Sequence, residues 1–213
     1  MEESSGSAAN SRRNRKLIMP SDLPATHRLY EHRPKPFSNA LTLDLGPVSL
    51  VAERGNSKQE FLLSGMEQLR LSYRPANTAR LGFACKLRAR DGKTLVFSNL
   101  TWRSMVETGR QDEDYSAFTR ELVARIGKAS PRIEMIAGAP VWQYWLFVLG
   151  FAVLAPALLV AAGYFALNGS WPVGVLTLGL LGWLAFYARE YLTRNRPRTF
   201  APEAIPPEVM PKL

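Results

Sequence analysis

The side chains with chemistry to offer are few and scattered. Cys85 is the chain's one cysteine, which excludes an intrachain disulfide framework and a four-sulfur metal site. It falls in an alternating run beside no base, so the expectation is a small buried side chain and not an activated thiolate. The two histidines, His27 and His32, stand in a Pro-rich leader and read as exposed side chains, not as a metal pair. Asp112, Glu113 and Asp114 form a carboxylate run. Adjacent helix positions diverge in direction, so the run suits a helix N-terminus better than a paired acid and base. Ser64 and Ser104 stand alone, and "DGK" at Asp91 is a turn signal without the strand-to-helix context of a phosphate loop. The expectation is a non-enzymatic protein with no catalytic residue, no cofactor, no metal and no small-molecule substrate.

Charge and hydropathy are segregated along the 213 residues. No Asp, Glu, Lys, Arg or His occurs between Glu134 and Arg189, although the whole chain carries a formal charge of +9. Inside that window, Val141–Leu167 is long enough for the roughly 30 Å hydrocarbon core. "NGSWP" then breaks the run, and a second apolar stretch completes a hairpin over 141–167 and 171–189. Soluble core helices would each need one wet face, and neither stretch offers one. Trp142, Tyr144 and Trp145 cluster at one end of the first span, and Trp183 and Tyr187 approach the end of the second, as interfacial rings do. Gly174, Gly179, Gly182, Ala155, Ala161 and Ala162 permit close helix packing. The uncharged interior lacks the groups that proton relays and ion paths use.

Flanking charge sets an orientation. Arg125, Lys128 and Arg132 precede the hairpin, Arg189, Arg194, Arg196 and Arg198 follow, and the loop between has no Lys or Arg. The positive-inside rule puts both termini in the cytoplasm. No apolar run follows the opening "MEESSGSAANSRRNR", so no cleaved leader is expected.

Residues 1–38 read as a disordered basic and Pro-rich arm that buries too little to offset its ordering entropy. Its cluster "RRNRK" at Arg12–Lys16 suits a solvated tail, anionic headgroups or, without a reading module, nucleic acid. From residue 39 to 130 the pattern is that of a folded α+β domain. Leu41, Leu43 and Leu45 share one strand face, as do Val48, Leu50 and Ala52 after a Gly-Pro break. "QEFLL", then Leu69, Leu71 and Tyr73, then Leu81, Phe83, Cys85 and Leu87 continue the alternation. "KTLVFSN" follows the Asp-Gly turn. Six or seven short antiparallel strands are expected. Tyr115, Phe118, Leu122 and Ile126 then recur at helical spacing and form a stripe that covers the sheet's apolar side.

Two features suit binding. Arg70 and Arg74 face away from the apolar side of one strand, and Arg80, Lys86, Arg88 and Arg90 do so on the next. Joined through "PANTA", these strands form a basic stripe for headgroups, for an acidic protein or for solvent alone. Without interleaved aromatics it does not suit nucleic acid. The Pro-rich tail, 190–213, carries the apolar residues Phe200, Ile205, Val209 and Met210, which can dock on its own domain or on a partner, or remain free.

The order of these segments resembles bacterial pleckstrin-homology-like membrane proteins. The likeness covers about 40–127 and is carried by "LTLDLGPVSLVAERG", "MEQLRLSYRP", "CKLRARDGKTLVFSN" and "YSAFTRELVARI". The resemblance implies a small antiparallel sheet or barrel closed by a C-terminal helix, attached membrane helices, a place in the bacterial inner membrane, and binding of lipid headgroups or proteins. It carries over no catalytic residue. Phosphoinositide-binding members use a basic loop between their first strands, and Arg54 and Lys58 in "AERGNSKQ" match that only sparsely. The functions expected are a membrane-anchored adaptor, scaffold or assembly subunit, an anionic-lipid surface module, or an accessory subunit of a transporter or enzyme complex. The expected partners are membrane lipids and a protein in or at the membrane.

Overall fold

The computed structural model describes residues 27–77 and 80–212, and side chains outside 75–81. The fold is α+β, with sheets followed by a C-terminal hairpin of two apolar helices. The first sheet is antiparallel and takes the order β1 (Arg28–His32), β2 (Leu41–Leu45), β3 (Ser49–Arg54) and β4 (Ser57–Leu62). A 3-10 turn at Leu63–Gly65 leads into β5 (Met66–Asn77), β6 (Arg80–Ala89) and β7 (Thr94–Ser98) of the second sheet. A small hairpin, β8 (Leu100–Trp102) and β9 (Thr108–Arg110), precedes α1 (Asp112–Ala129). The chain then returns as β10 (Glu134–Ala137), which lies parallel to β5 and makes the second sheet mixed. Among the described residues, no sheet closes on itself.

Alternation places the core. Leu41, Leu43, Leu45, Leu50 and Ala52 point inward from the first sheet. Leu69, Leu71, Tyr73, Phe83, Cys85, Leu87, Leu95 and Phe97 do so from the second. Tyr115, Phe118, Leu122 and Ile126 of α1 are buried against them, as their spacing predicts. Val48 is an exception: it stands in the β2–β3 turn and is 64% exposed.

The disordered-arm expectation fails over Arg28–His32. This segment is β1, paired with β2 in the register Tyr30↔Leu43. The reason is Tyr30, whose ring packs against Phe118 at a centroid distance of 5.4 Å and against Phe97 at 5.9 Å. Its hydroxyl donates to the Ser98 carbonyl at 2.6 Å. Burying one such ring contributes about 2–3 kcal/mol, enough to hold a short strand whose neighbours are polar. Residues 1–26, including Arg12–Lys16, lie outside the described residues.

The hairpin consists of α2 (Val141–Leu167) and α3 (Trp171–Arg194). Both are long and apolar enough to cross a membrane, and few of their residues are buried. They pack on each other where Gly174 meets Ala162, both buried. Gly179 and Gly182 face open space and take no part in that contact. Pro156 sits inside α2 without ending it, which lipid-embedded helices tolerate. Helix α3 continues past residue 189 to Arg194, so the first residues assigned to the tail are helical. A short strand, β11 (Arg198–Thr199), then joins the edge of the second sheet through β10.

Candidate interaction surfaces and the root of the hairpin

The hairpin is fastened to the head by a polar latch. β10 ends at Ala137, level with Leu71 of β5, and the Gly138 N–H donates to the Leu71 carbonyl at 2.7 Å. Gly138 has a φ of +93°, a conformation that favours glycine, and the carbonyls of Asn195 and Arg196 lie 2.6 Å from where a Cβ would stand. The returning end of α3 reaches the same place. Asn195, fully buried, accepts from the Tyr73 N–H through Oδ1 at 3.2 Å, and its carbonyl accepts from the Ala139 N–H at 3.1 Å. Arg194 lies over the Tyr73 ring, 5.0 Å from its centroid, and pairs with Glu190 at 3.1 Å. The Tyr73 hydroxyl bonds Glu190 at 3.4 Å; burial, then the nearby carboxylate, pushes its pKa up to about 12.

Arg70 belongs to this latch. It opposes Lys86 in the β5–β6 register, as a shared outer face requires. Its guanidinium, however, is half-buried and donates to the carbonyls of Ala139 at 3.3 Å and Gly138 at 3.5 Å. Burial lowers its pKa from the usual arginine value. Arg70 is therefore a structural clamp for the chain leaving β10, not a free member of a binding stripe.

The rest of the stripe divides along the strand. Arg74 faces Gly82 near the end of β5 and is exposed. Arg80 pairs through its backbone with Asn77 where β6 begins, and its side chain lies outside those described. Lys86, Arg88 and Arg90 are exposed toward the other end. Arg88 pairs with Glu67 at 3.2 Å. Lys86 and Arg90 have no ion-pair partner among the described residues.

The tail anchors are spent within the chain. Val209 and Met210 are buried in the same core as the strands, and Phe200 and Ile205 pack against it. The Phe200 N–H donates to the Met135 carbonyl at 3.1 Å, and Arg198 pairs with Glu208 across the tail's bend. Of the sites expected, these four are thus occupied by the protein's own domain and do not offer a protruding ribbon to a partner. Proline at 202, 206 and 207 limits the freedom of the unfolded chain, so docking this segment costs less entropy.

The remaining chemical candidates have structural employment. His32 is not exposed: only 2% of it is accessible, and its ring stacks on Tyr30 at 5.8 Å. Burial, followed by repulsion from Arg54, pushes its pKa down to about 4, so the ring is neutral near pH 7. His27 bonds Asp44 through Nδ1 at 2.9 Å. Asp112 accepts from Asn99 Nδ2 at 2.6 Å and pairs with Arg110, while Glu113 and Asp114 are exposed in the first turn of α1. Asn99 in turn accepts from the Phe83 N–H at 2.7 Å, so the Asp112 carboxylate stabilises the β6–β7 ladder. Cys85 is buried, and burial alone raises its thiol pKa. Among the described residues, no group of three or more His, Cys, Asp or Glu is placed to hold a metal ion.

Asn195, Gly138 and Tyr73 are the site residues that sequence reasoning missed. Gly138 lies between the helical stripe of α1 and the first apolar run, where the sequence carries no period. A lone Asn after a helix and a Gly before one are too common to single out. Neither a protein-family model nor a curated protein sequence matches the chain.

Proposed function

We propose that the chain is a non-enzymatic, membrane-anchored adaptor whose pleckstrin-homology-like head holds an acidic protein partner against the membrane. The observation that carries this reading is the row of exposed cations Lys86, Arg88 and Arg90, which starts opposite Arg70 and runs along β6 away from the root of the latched hairpin. At about 3.4 Å per residue, Arg88 lies about 20 Å along β6 from Gly82. That exceeds the screening length of about 8 Å at physiological salt, so lipid headgroups at the root end do not saturate these charges. A protein of complementary charge does.

The pleckstrin-homology-like assignment is supported by strand order: β1 to β4 in one sheet, β5 to β7 in the next, then α1. The β8–β9 hairpin and the added β10 and β11 are departures from that plan. The hairpin lies in a bacterial inner membrane with the head and both termini cytoplasmic. Orientation rests on Arg189, Arg194, Arg196 and Arg198 at the root and on the absence of Lys or Arg from the 168–170 turn.

The test is cross-linking in native membranes followed by gentle extraction, comparing the natural chain with a Lys86→Glu, Arg88→Glu, Arg90→Glu variant. The adaptor reading expects a defined acidic partner that the variant loses while staying membrane-bound. A natural chain that emerges alone and monomeric, or a variant that retains the partner, would refute it.

A further inference from the structure

The end of the head from which the hairpin leaves carries exposed apolar loop tips among cations. β10 and β5 run parallel, so β5 continues past Leu71 toward its turn along the direction in which β10 delivers α2. Antiparallel pairing carries that level sideways: Arg74 faces Gly82, and Ala84 faces Ser98. At the end of β1, His32 and Pro34 line one cleft with Arg74, Gly82 and Ser98. His32 faces Leu41, and Leu41 faces Arg54, which brings the β1–β2 loop and the β3–β4 turn to the same end. The β8–β9 hairpin joins them, because the Arg33 N–H donates to Thr101 Oγ1 at 2.9 Å and the Trp102 N–H to the Arg33 carbonyl at 3.0 Å. The opposite end holds Arg90, whose N–H bonds the Gly65 carbonyl, and Val48, whose carbonyl accepts from Leu63.

Three large apolar side chains stand in the open at the root end. Phe37 of the β1–β2 loop is 82% exposed, and Met105 and Val106 at the tip of β8–β9 are 67% and 89% exposed. Arg33, Lys35, Arg54, Arg74 and Arg103 are exposed around them without an ion-pair partner among the described residues. Lys58 is the cation there that is paired, to Glu53 at 2.9 Å. The acids nearby, Glu31 and Glu107, are outnumbered. Trp142, Tyr144 and Trp145 occupy the opening turns of α2 beside this end.

We propose that this end of the head docks on an anionic lipid surface, with Phe37, Met105 and Val106 dipping into the headgroup–acyl boundary. Apolar tips with a cationic surround are what that boundary favours, the tips through burial and the cations through the negative surface potential. Length agrees. Helix α2, at about 1.5 Å per residue, spans about 40 Å against a hydrocarbon core of about 30 Å, which leaves about 10 Å at headgroup depth. The occupant is lipid because the patch is continuous with the root of the hairpin and complementary in charge to an anionic leaflet. The adaptor face, Lys86, Arg88 and Arg90, is a different surface, so either reading can fail without the other.

The experiment uses the full chain in phosphatidylcholine vesicles with and without phosphatidylglycerol. A polarity-sensitive dye is placed by Val106→Cys, or by Asp91→Cys in the β6–β7 turn as the far-end control. Cys85 is buried and stays unlabelled in the folded head, which also reports that each variant is folded. The expected result is quenching of the dye at 106 by nitroxide-labelled lipid, stronger with phosphatidylglycerol, and none at 91. Each of Arg33→Gln, Lys35→Gln and Arg103→Gln lowers the docked-to-undocked ratio about fivefold. A dye at 106 that stays unquenched while the hairpin tryptophans are quenched overturns the docking and leaves the hairpin in place. Equal quenching in both lipids overturns the anionic-surface assignment.

Discussion

The side-chain oxygen of Asn195 accepts the backbone N–H of Tyr73 at 3.2 Å, across 122 residues of sequence. This bond joins the last turn of the hairpin to the strand beside which the hairpin begins. Because the Ala139 N–H also donates to the Asn195 carbonyl, the departing and returning chains are tied at one point. The latch makes the attitude of the two apolar helices toward the head a property of the fold and not of a linker. Asn195→Ala leaves the Tyr73 N–H buried without its acceptor and should cost about 1–3 kcal/mol. Thermal unfolding of the purified chain in detergent measures it; an unchanged midpoint would refute the latch.

Gly138→Ala should be more disruptive than its size suggests. It combines an unfavourable positive φ with contacts of 2.6 Å to two carbonyls. The strain is on the order of 1–3 kcal/mol before the backbone moves. Limited proteolysis should show new cleavage near residues 138–140 and 195–197, with helices α2 and α3 left uncut.

Met210→Ala tests the docked tail. A buried Met removed from a core costs about 2–5 kcal/mol, whereas one on a free tail costs almost nothing. Denaturant unfolding separates the two outcomes.

His32 predicts a pH dependence. Its folded pKa, about 4, lies below the ordinary 6.5, so the unfolded chain binds more protons between these values. Stability from this group is fully present above about pH 6.5 and falls as pH drops toward 4, by at most about 3 kcal/mol. Carboxylates also titrate in that window, so the diagnostic is a difference. His32→Phe should flatten the stability–pH curve between pH 6.5 and 4 relative to the natural chain; parallel curves would sink the assignment.

Gly174→Leu should loosen the hairpin, because a Cβ there already stands 3.0 Å from the Ala162 carbonyl. Gly179→Leu should be nearly silent, because a Cβ there meets nothing. Cross-linking between cysteines introduced at Ala166 and Val175 reads the difference.

Much of the fold was legible in local pattern. Period-two runs located the inward faces of β2, β5 and β6, the helical stripe located α1, and the charge-free window located both apolar helices. The failures share a cause. Tyr30 sits among polar and proline neighbours, so no period announces β1, yet one ring filling a gap beside Phe97 and Phe118 suffices to fold it. Val209 and Met210 were legible as apolar anchors among prolines; the packing selected the protein's own core from the alternatives left open. Arg70 looked like its neighbours Arg74 and Lys86, because alternation reports the face of a sheet and not what another segment brings to that face.

The amino-acid order alone determined where apolar surface is continuous and with what period, hence the α+β head and the two apolar helices. Those properties follow from neighbours along the chain. Only the tertiary structure decided that the tail completes the core, that Asn195 closes the root on Tyr73, and that Phe37, Met105 and Val106 share one end with the hairpin. Each depends on segments distant in sequence meeting in space, and the pairing that selects them is an energy of the assembled packing, which no local window contains.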